Sequence, residues 1–325
     1  MTRQHNEATA RILAATLTLV SREQKGMQPP FSLWYPELAP KDIRDLALDV
    51  AFDRSKVLWA DDSHPARGLL IFHPQALEGS ILGHGSARLK GPYVVDPDQA
   101  SRQRVAQSLA GKGKALARRE GMSFLSAKLP QDPALVRGFC AVGFEFAEAS
   151  TVLVGPIEKE PMGGTGPKPQ TLGVTLRGSE EEDVHTLLSQ LGDLFYDGHH
   201  LHGPFLPEDF HRKLWRRVAE DGLSAGDVAV FAKDQRQGVA LGFAMAKLQG
   251  QEATLSILHV NEERRNQGLG GLMMRHLLGV LRDKGASSIR AETAAWNLPA
   301  LSLYLSLGLR PRAPLVALHA MLHPL

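Results

Sequence analysis

Read as a pattern of apolar and polar positions, the C-terminal half of the chain alternates between strand-like and helix-like runs. "LGVTLR", "DVAVFAK", "GVALGFAMAKLQ" and "EATLSILHV" are β-branched and apolar and are separated by tight polar turns, which predicts an antiparallel meander. "GSEEEDVHTLLSQLGDLF" opens with an acidic first turn before an apolar stripe, and "PEDFHRKLWRRVAEDG" is a second helix ahead of the meander. Over residues 268–284, Leu269, Leu272, Met273, Leu277, Val280 and Leu281 recur at helical spacing and are expected to bury against the sheet. Arg282 and Lys284 suit the negative end of that helix, and Gly285 terminates it. A strand at "SSIRAET", a helix at "NLPALSLYLSLG" and a strand at "PLVALHAML" complete the half.

The N-terminal half ends in the same order of elements. "RVAQSLAGKGKALARREG" reads as a helix, "MSFLSAKL" as a strand, "DPALVRGFCAVGF" as a helix and "ASTVLVG" as a strand. With Gly143 aligned on Gly308, Asp132 falls on Asn297 and Phe139 on Tyr304, which predicts a duplication. Between the halves, "GPIEKEPMGGTGPKPQT" is rich in Pro, Gly and charge and is expected to be a linker. The division is a first domain over 1–155, a linker over 156–171 and a second domain over 172–325.

The length of 325 residues accommodates two ordinary domains. Hydrophobic residues at 43% and charged residues at 22% are the balance of a soluble globular chain, and a net charge of +2 gives no electrostatic case for nucleic acid or membrane. "RILAATLTLV" is too short to cross a bilayer and lacks a cleavage site, so it reads as an amphipathic helix and the chain as cytoplasmic. The single cysteine, Cys140, excludes an intrachain disulfide and a thiolate metal cluster, and its apolar neighbours suggest a small buried side chain.

The chemistry concentrates at "RRNQGLGGLMM", directly after "ATLSILHVNEE". A glycine-rich loop between a strand and a helix makes an anion site, because helix N-termini carry unpaired N–H groups and positive potential. Here the amides of Gln267, Gly268, Leu269, Gly270 and Gly271 could converge on one pyrophosphate, with Arg264 and the better-placed Arg265 beside them. The other Gly-x-Gly stretches, "GHG" at 83–85 and "GKG" at 111–113, join no strand end to a helix start and read as structural.

"LSILHV" followed by "RNQGLG" and a helix resembles the acetyl-CoA signature of the GNAT family of N-acyltransferases, whose pattern is Arg/Gln-x-x-Gly-x-Gly/Ala. Asn297, Ala300, Tyr304 and Gly308 stand at the family's downstream spacing, and the resemblance covers 172–325. It implies an α/β (α+β) fold of two tandem GNAT-like domains, each a twisted mixed, largely antiparallel sheet flanked by helices. It implies acetyl-CoA as cosubstrate, with cofactor contacts from Leu258, Val260, Arg265, Asn266, Gln267, Gly268, Leu269, Gly270, Gly271 and Asn297. Tyr304 would protonate the departing thiolate. The family usually has Gly where Asn266 stands, and Asn tolerates left-handed backbone better than most residues. The base stays open: Thr254 holds the position from which some members present a glutamate, and Glu252, His259, Glu292 or a chain of waters are alternatives by location.

"FYDGHHLHGPFLPEDFHRKLW" carries four histidines; His199 and His200 are expected to line the acceptor pocket, and no metal is expected because no metal-ligand spacing is present. This region is similar to the dTDP-fucosamine acetyltransferase branch, which makes an amino sugar, nucleotide-linked or free, the narrower expectation for the amine. The tandem architecture is similar to that of mycothiol synthase. The first half lacks the arginine–glycine loop and has Phe139 in place of the tyrosine, so it is expected to be a degenerate copy. The partner is thus a small-molecule amine, with protein acetylation or acetyl-CoA sensing as the other readings.

Overall fold

Strands form where apolar residues run together or alternate with polar ones, and helices where the apolar spacing widens to three and four. The computed structural model describes residues 50, 55–60, 68–94, 98–157, 168–178, 205–207 and 209–322. In chain order the first elements are β1 (Lys56–Trp59), β2 (Gly68–Pro74), α1 (Ala76–Leu82), β3 (Gly85–Val94), α2 (Gln99–Arg119), β4 (Met122–Pro130), α3 (Pro133–Cys140) and β5 (Glu145–Pro156). They continue with α4 (Pro169–Leu172), β6 (Val174–Gly178), α5 (Phe210–Ser224), β7 (Val228–Asp234), β8 (Ala240–Gln249) and β9 (Glu252–Val260). A 3₁₀ turn at Glu262–Arg264, α6 (Leu269–Asp283), β10 (Ser288–Ala294), α7 (Leu298–Ser306) and β11 (Arg310–Met321) complete the order.

The contacts sort into two compact units. One holds the described residues up to Ser150 together with 205–207 and 313–322; the other holds those of 151–178 and 209–312. In the first unit the strand order is β1-β2-β3-β4-β11. Only β3 and β4 run parallel there, from Gly85↔Met122 to Lys90↔Lys128, and β11 closes antiparallel on β4. Leu70, Phe72, Leu89, Leu125 and Leu318 of the sheet pack with Leu109 of α2 and Leu135 and Phe139 of α3. Each such side chain contributes roughly 1.5–3 kcal/mol by leaving water.

In the second unit the order is β5-β10-β9-β8-β7-β6, antiparallel from β6 to β9 and parallel between β9 and β10. Its sheet has two covered faces. Leu269, Leu272, Met273 and Leu277 of α6 and Tyr304 of α7 cover one, and Ala219, Trp215 and Val218 of α5 pack on the other against Phe231, Phe243 and Ile257. The mixed α/β class expected from the sequence is the fold observed.

The element order β3-α2-β4-α3-β5 recurs as β9-α6-β10-α7-β11. Within it the aligned residues do the same work. Asp132 caps α3 by accepting from Ala134 N at 2.8 Å, and Asn297 caps α7 by accepting from Ala300 N at 3.2 Å. Gly143 and Gly308 end those helices' loops with φ of 81° and 83°, a left-handed conformation that favours glycine.

One expectation is corrected: Cys140 is exposed, because it falls on the outer face of α3, away from buried Ala134, Leu135 and Phe139. The expected N-terminal helix, the helix at 178–195, most of the linker and both His199 and His200 lie outside the described residues. Among the described residues no helix is long and apolar enough to cross a membrane.

Candidate active site

β9 contains one residue more than β8 can pair. Met245 faces Ile257 and Ala246 faces Leu255, so Ser256 has no counterpart and forms a bulge. Beyond it the two faces of the strand are reassigned: Ile257 packs with the α5 side, whereas Leu258 and Val260 pack with the α6 and α7 side. The parallel ladder with β10 runs only from Ser288↔Glu252 to Arg290↔Thr254, so the last two thirds of β9 continue past it. Asn261 N–H donates to Leu241 O at 2.9 Å, and by antiparallel alternation the peptide groups of His259 turn to β8 while those of Leu258 and Val260 turn to the opposite edge. The Val260 carbonyl on that edge already accepts from Arg265 Nε at 3.0 Å.

The loop after β9 is held by the protein itself. Arg264 donates to Leu172 O at 2.7 Å and lies 4.0 Å from Asp234, so it anchors the loop instead of offering a charge to a ligand. Gln267 donates to Glu263 O at 2.9 Å. Asn266, with φ 59°, is the one non-glycine residue of positive φ among the described residues, and Gly268 follows at φ 87° as the N-cap of α6. Asn266→Val should therefore cost about 1–2 kcal/mol in thermal unfolding and weaken ligand binding, while Asn266→Gly should do neither.

No side chain caps α6; Leu272 is the first residue of this turn to return its N–H to a carbonyl, Gly268 O at 3.0 Å. The amides of Leu269, Gly270 and Gly271 precede it at the positive end of the helix. A Cβ placed on Gly270 would come no closer than 3.6 Å to Leu303 and 3.7 Å to Val260. The end of β9, the start of α6 and the Leu303 turn of α7 thus converge on a glycine whose packing does not require it to be glycine. Such a cradle fits a pyrophosphate approached by backbone amides.

Tyr304 follows Leu303 and is 4% exposed. Burial pushes its phenol well above the ordinary range. Asn297 uses its side-chain oxygen to cap α7, which leaves its amide hydrogens as the donors it can offer. Glu252 sits at the opposite end of β9 from Val260, about 25 Å away along the strand, and is removed from contention as a base. Glu292 is exposed on β10, and His259 is buried between Leu258 and Val260. The bulge at Ser256 and the anchoring by Arg264 escaped sequence reasoning, because neither a single extra residue nor a distant carbonyl leaves a periodic trace.

The equivalent place in the first unit is built differently. Asp98 caps α2 with its own carboxylate, 2.6 Å from Ser101 N. Asp132, the counterpart of Asn297, pairs with Arg102 at 3.0 Å, and both are buried. Gly138 brings α3 against the backbone of α2, where a Cβ would stand 2.7 Å from Gln103 O.

Residues 195–309 match the family model described as the acetyltransferase (GNAT) family. The chain is 28% identical over 270 residues to a mycothiol acetyltransferase of Clavibacter sepedonicus, which spans 80% of this chain and 83% of that one. It is 34% identical over 73 residues to the ribosomal protein bS18 alanine N-acetyltransferase of Escherichia coli, covering 22% of this chain and 49% of the relative. Among solved structures, a tandem GNAT protein from the clavulanic acid biosynthesis pathway superposes with a TM-score of 0.57 at 18% identity, covering 89% and 91% of the two chains. A GCN5-related N-acetyltransferase from Sphaerobacter thermophilus gives 0.62 at 14%, covering 100% and 95%. The narrower resemblance to the dTDP-fucosamine branch finds no support in these comparisons. The strand, the uncapped glycine loop and the helix so arranged lie within residues 195–309, the part of the chain that matches the GNAT family of acetyltransferases.

Proposed function

We propose that the chain transfers an acetyl group from acetyl-CoA to a primary amine of a small molecule, by direct attack of the neutral amine on the thioester. The observation that carries this is the uncapped N-terminus of α6, set against the end of β9 with two left-handed residues leading into it. Its amides would bind the pyrophosphate, each charge-assisted bond being worth about 1.5–3 kcal/mol. The outward peptide groups of Leu258 and Val260 would meet the pantetheine arm and the thioester carbonyl, whose developing negative charge a strand N–H stabilises. Tyr304 would give its proton to the departing thiolate.

The relative that aligns over most of both chains supports a small-molecule acceptor, because it is a mycothiol acetyltransferase. Protein N-terminal acetylation is the second reading, favoured by the higher identity to the bS18 alanine enzyme, but that similarity spans only 22% of this chain. The first unit is read as a copy that binds no acetyl-CoA. A carboxylate cap, a buried ion pair and closely apposed helices occupy the features that would hold the cofactor.

Calorimetric titration with acetyl-CoA should give one site per chain, followed by acetylation of amines in a panel that includes the amine precursor of mycothiol, a peptide with an N-terminal alanine and glucosamine. Two sites would overturn the reading of the first unit, and no binding would overturn the function. Transfer to the peptide alone would favour the second reading.

A further inference from the structure

The two arginines that open the glycine loop are engaged by the protein itself. Arg264 donates to Leu172 O at 2.7 Å and lies 4.0 Å from Asp234, and Arg265 Nε donates to Val260 O at 3.0 Å. Beyond them, the first two turns of α6, "LGGLMMR", contain one cation, Arg275.

Arg275 stands four residues after Gly271, so the two share a face of α6, and a helical side chain leans over the turn that precedes it. A Cβ placed on Gly271 would come 3.3 Å from Arg275 Nη1 and 3.5 Å from Leu303 Cδ1. The guanidinium therefore lies over the first turn of α6, in the space a side chain at 271 would fill, where Leu303 of α7 approaches. Leu303 is also the nearest neighbour of Gly270, 3.6 Å from a Cβ placed there. The glycine pair thus opens the amides and lets the arginine fold back beside them.

That charge sits against the preference of its own helix. The first turn carries the positive end of the macrodipole, which repels a cation. Arg275 makes no hydrogen bond or ion pair with any of the described residues to offset this. A local rule broken without compensation inside the protein marks a place that a ligand completes, here an anion. The planar fork of a guanidinium matches a phosphate.

We infer that Arg275 is a specificity-determining residue for the 3′-phosphate of acetyl-CoA; this rests on the acetyltransferase reading above. On that reading the pyrophosphate falls to the amides of Leu269, Gly270 and Gly271, whose N–H groups run along the helix axis. Arg275 stands beside the axis, and the one further phosphate of this cosubstrate is on the ribose 3′ position. A phosphate monoester carries about −1.5 to −2 at pH 7, more than either unit of the pyrophosphate, so a full positive charge gains most there.

Isothermal titration of the wild type and of Arg275→Gln, with acetyl-CoA and with its 3′-dephospho form, tests the pairing. The wild type should bind acetyl-CoA roughly 10- to 150-fold more tightly than the dephospho form, the worth of one charge-assisted contact. Arg275→Gln should lose that preference by weakening acetyl-CoA alone, with the dephospho affinity and the ligand-free melting temperature kept. A merely structural role would weaken both ligands alike. A wild type that does not distinguish the two ligands, a variant that keeps the preference, or one that weakens both alike overturns the assignment and leaves the acetyltransferase reading standing. If the wild type binds neither, both fall together. Should Arg275→Gln not fold, Arg275→Lys keeps the charge without the fork and should retain only part of the preference; full retention overturns the assignment.

Discussion

Gly270→Ala is expected to raise the thermal stability slightly and weaken acetyl-CoA binding in the same protein. Gly270 is the second residue of α6 and does not adopt a positive φ, so alanine fits its backbone. The nearest atoms to the added methyl, on Leu303 and Val260, lie at ordinary van der Waals distance. Alanine in a helix gains up to about 1 kcal/mol over glycine. On the proposed reading the same methyl would stand where a phosphate oxygen reaches the amides, and losing one charge-assisted bond at about 1.5–3 kcal/mol would weaken binding by roughly 10- to 150-fold. Differential scanning calorimetry and isothermal titration read the two effects separately. Unchanged affinity would remove the cradle from the binding site, and a lowered melting temperature would mean that packing demands the glycine.

The second large effect is expected from Tyr304→Phe, which should lower kcat by about 10²–10⁴-fold and spare acetyl-CoA affinity. The side chain is buried among leucines, so phenylalanine keeps the packing and removes only the hydroxyl. Because burial raises the phenol's pKa, the group stays protonated through neutral pH and beyond the ordinary tyrosine value of about 10. No alkaline limb below about pH 10 should therefore arise from it. The stability sign follows the same way: the raised pKa stabilises the fold below the unfolded value, and that contribution is lost as pH rises through and past about 10. Full turnover in the phenylalanine variant would remove Tyr304 from the mechanism.

What the sequence made legible was local. The described helices and strands of the second unit stand where periodicity put them, and Asn266 was readable because few other residues accept φ near 59°. The repeat was legible through Asp132, Asn297, Gly143 and Gly308, since caps and left-handed positions restrict residue choice. What was not legible depends on distance in the chain. Arg264 reaches Leu172 and Arg102 reaches Asp132, pairings that no window of sequence contains. Cys140 looked buried from its neighbours, but a helix alternates its environment within one turn. His259 was visible as a candidate, yet its hydrogen bond to Asn261 was not.

The placement of residues 313–322 in the first unit bears on how the protein is made. Ala320 and Leu318 sit in the core of a sheet whose other strands, β1 to β4, precede them by nearly two hundred residues or more. On the ribosome, the earlier-synthesised unit must therefore wait with an open edge on β4 until the later one has emerged. The two halves of the sequence are for this reason poor choices for separate expression. A protein cut between them would leave its first half without a strand and its second half with an apolar tail.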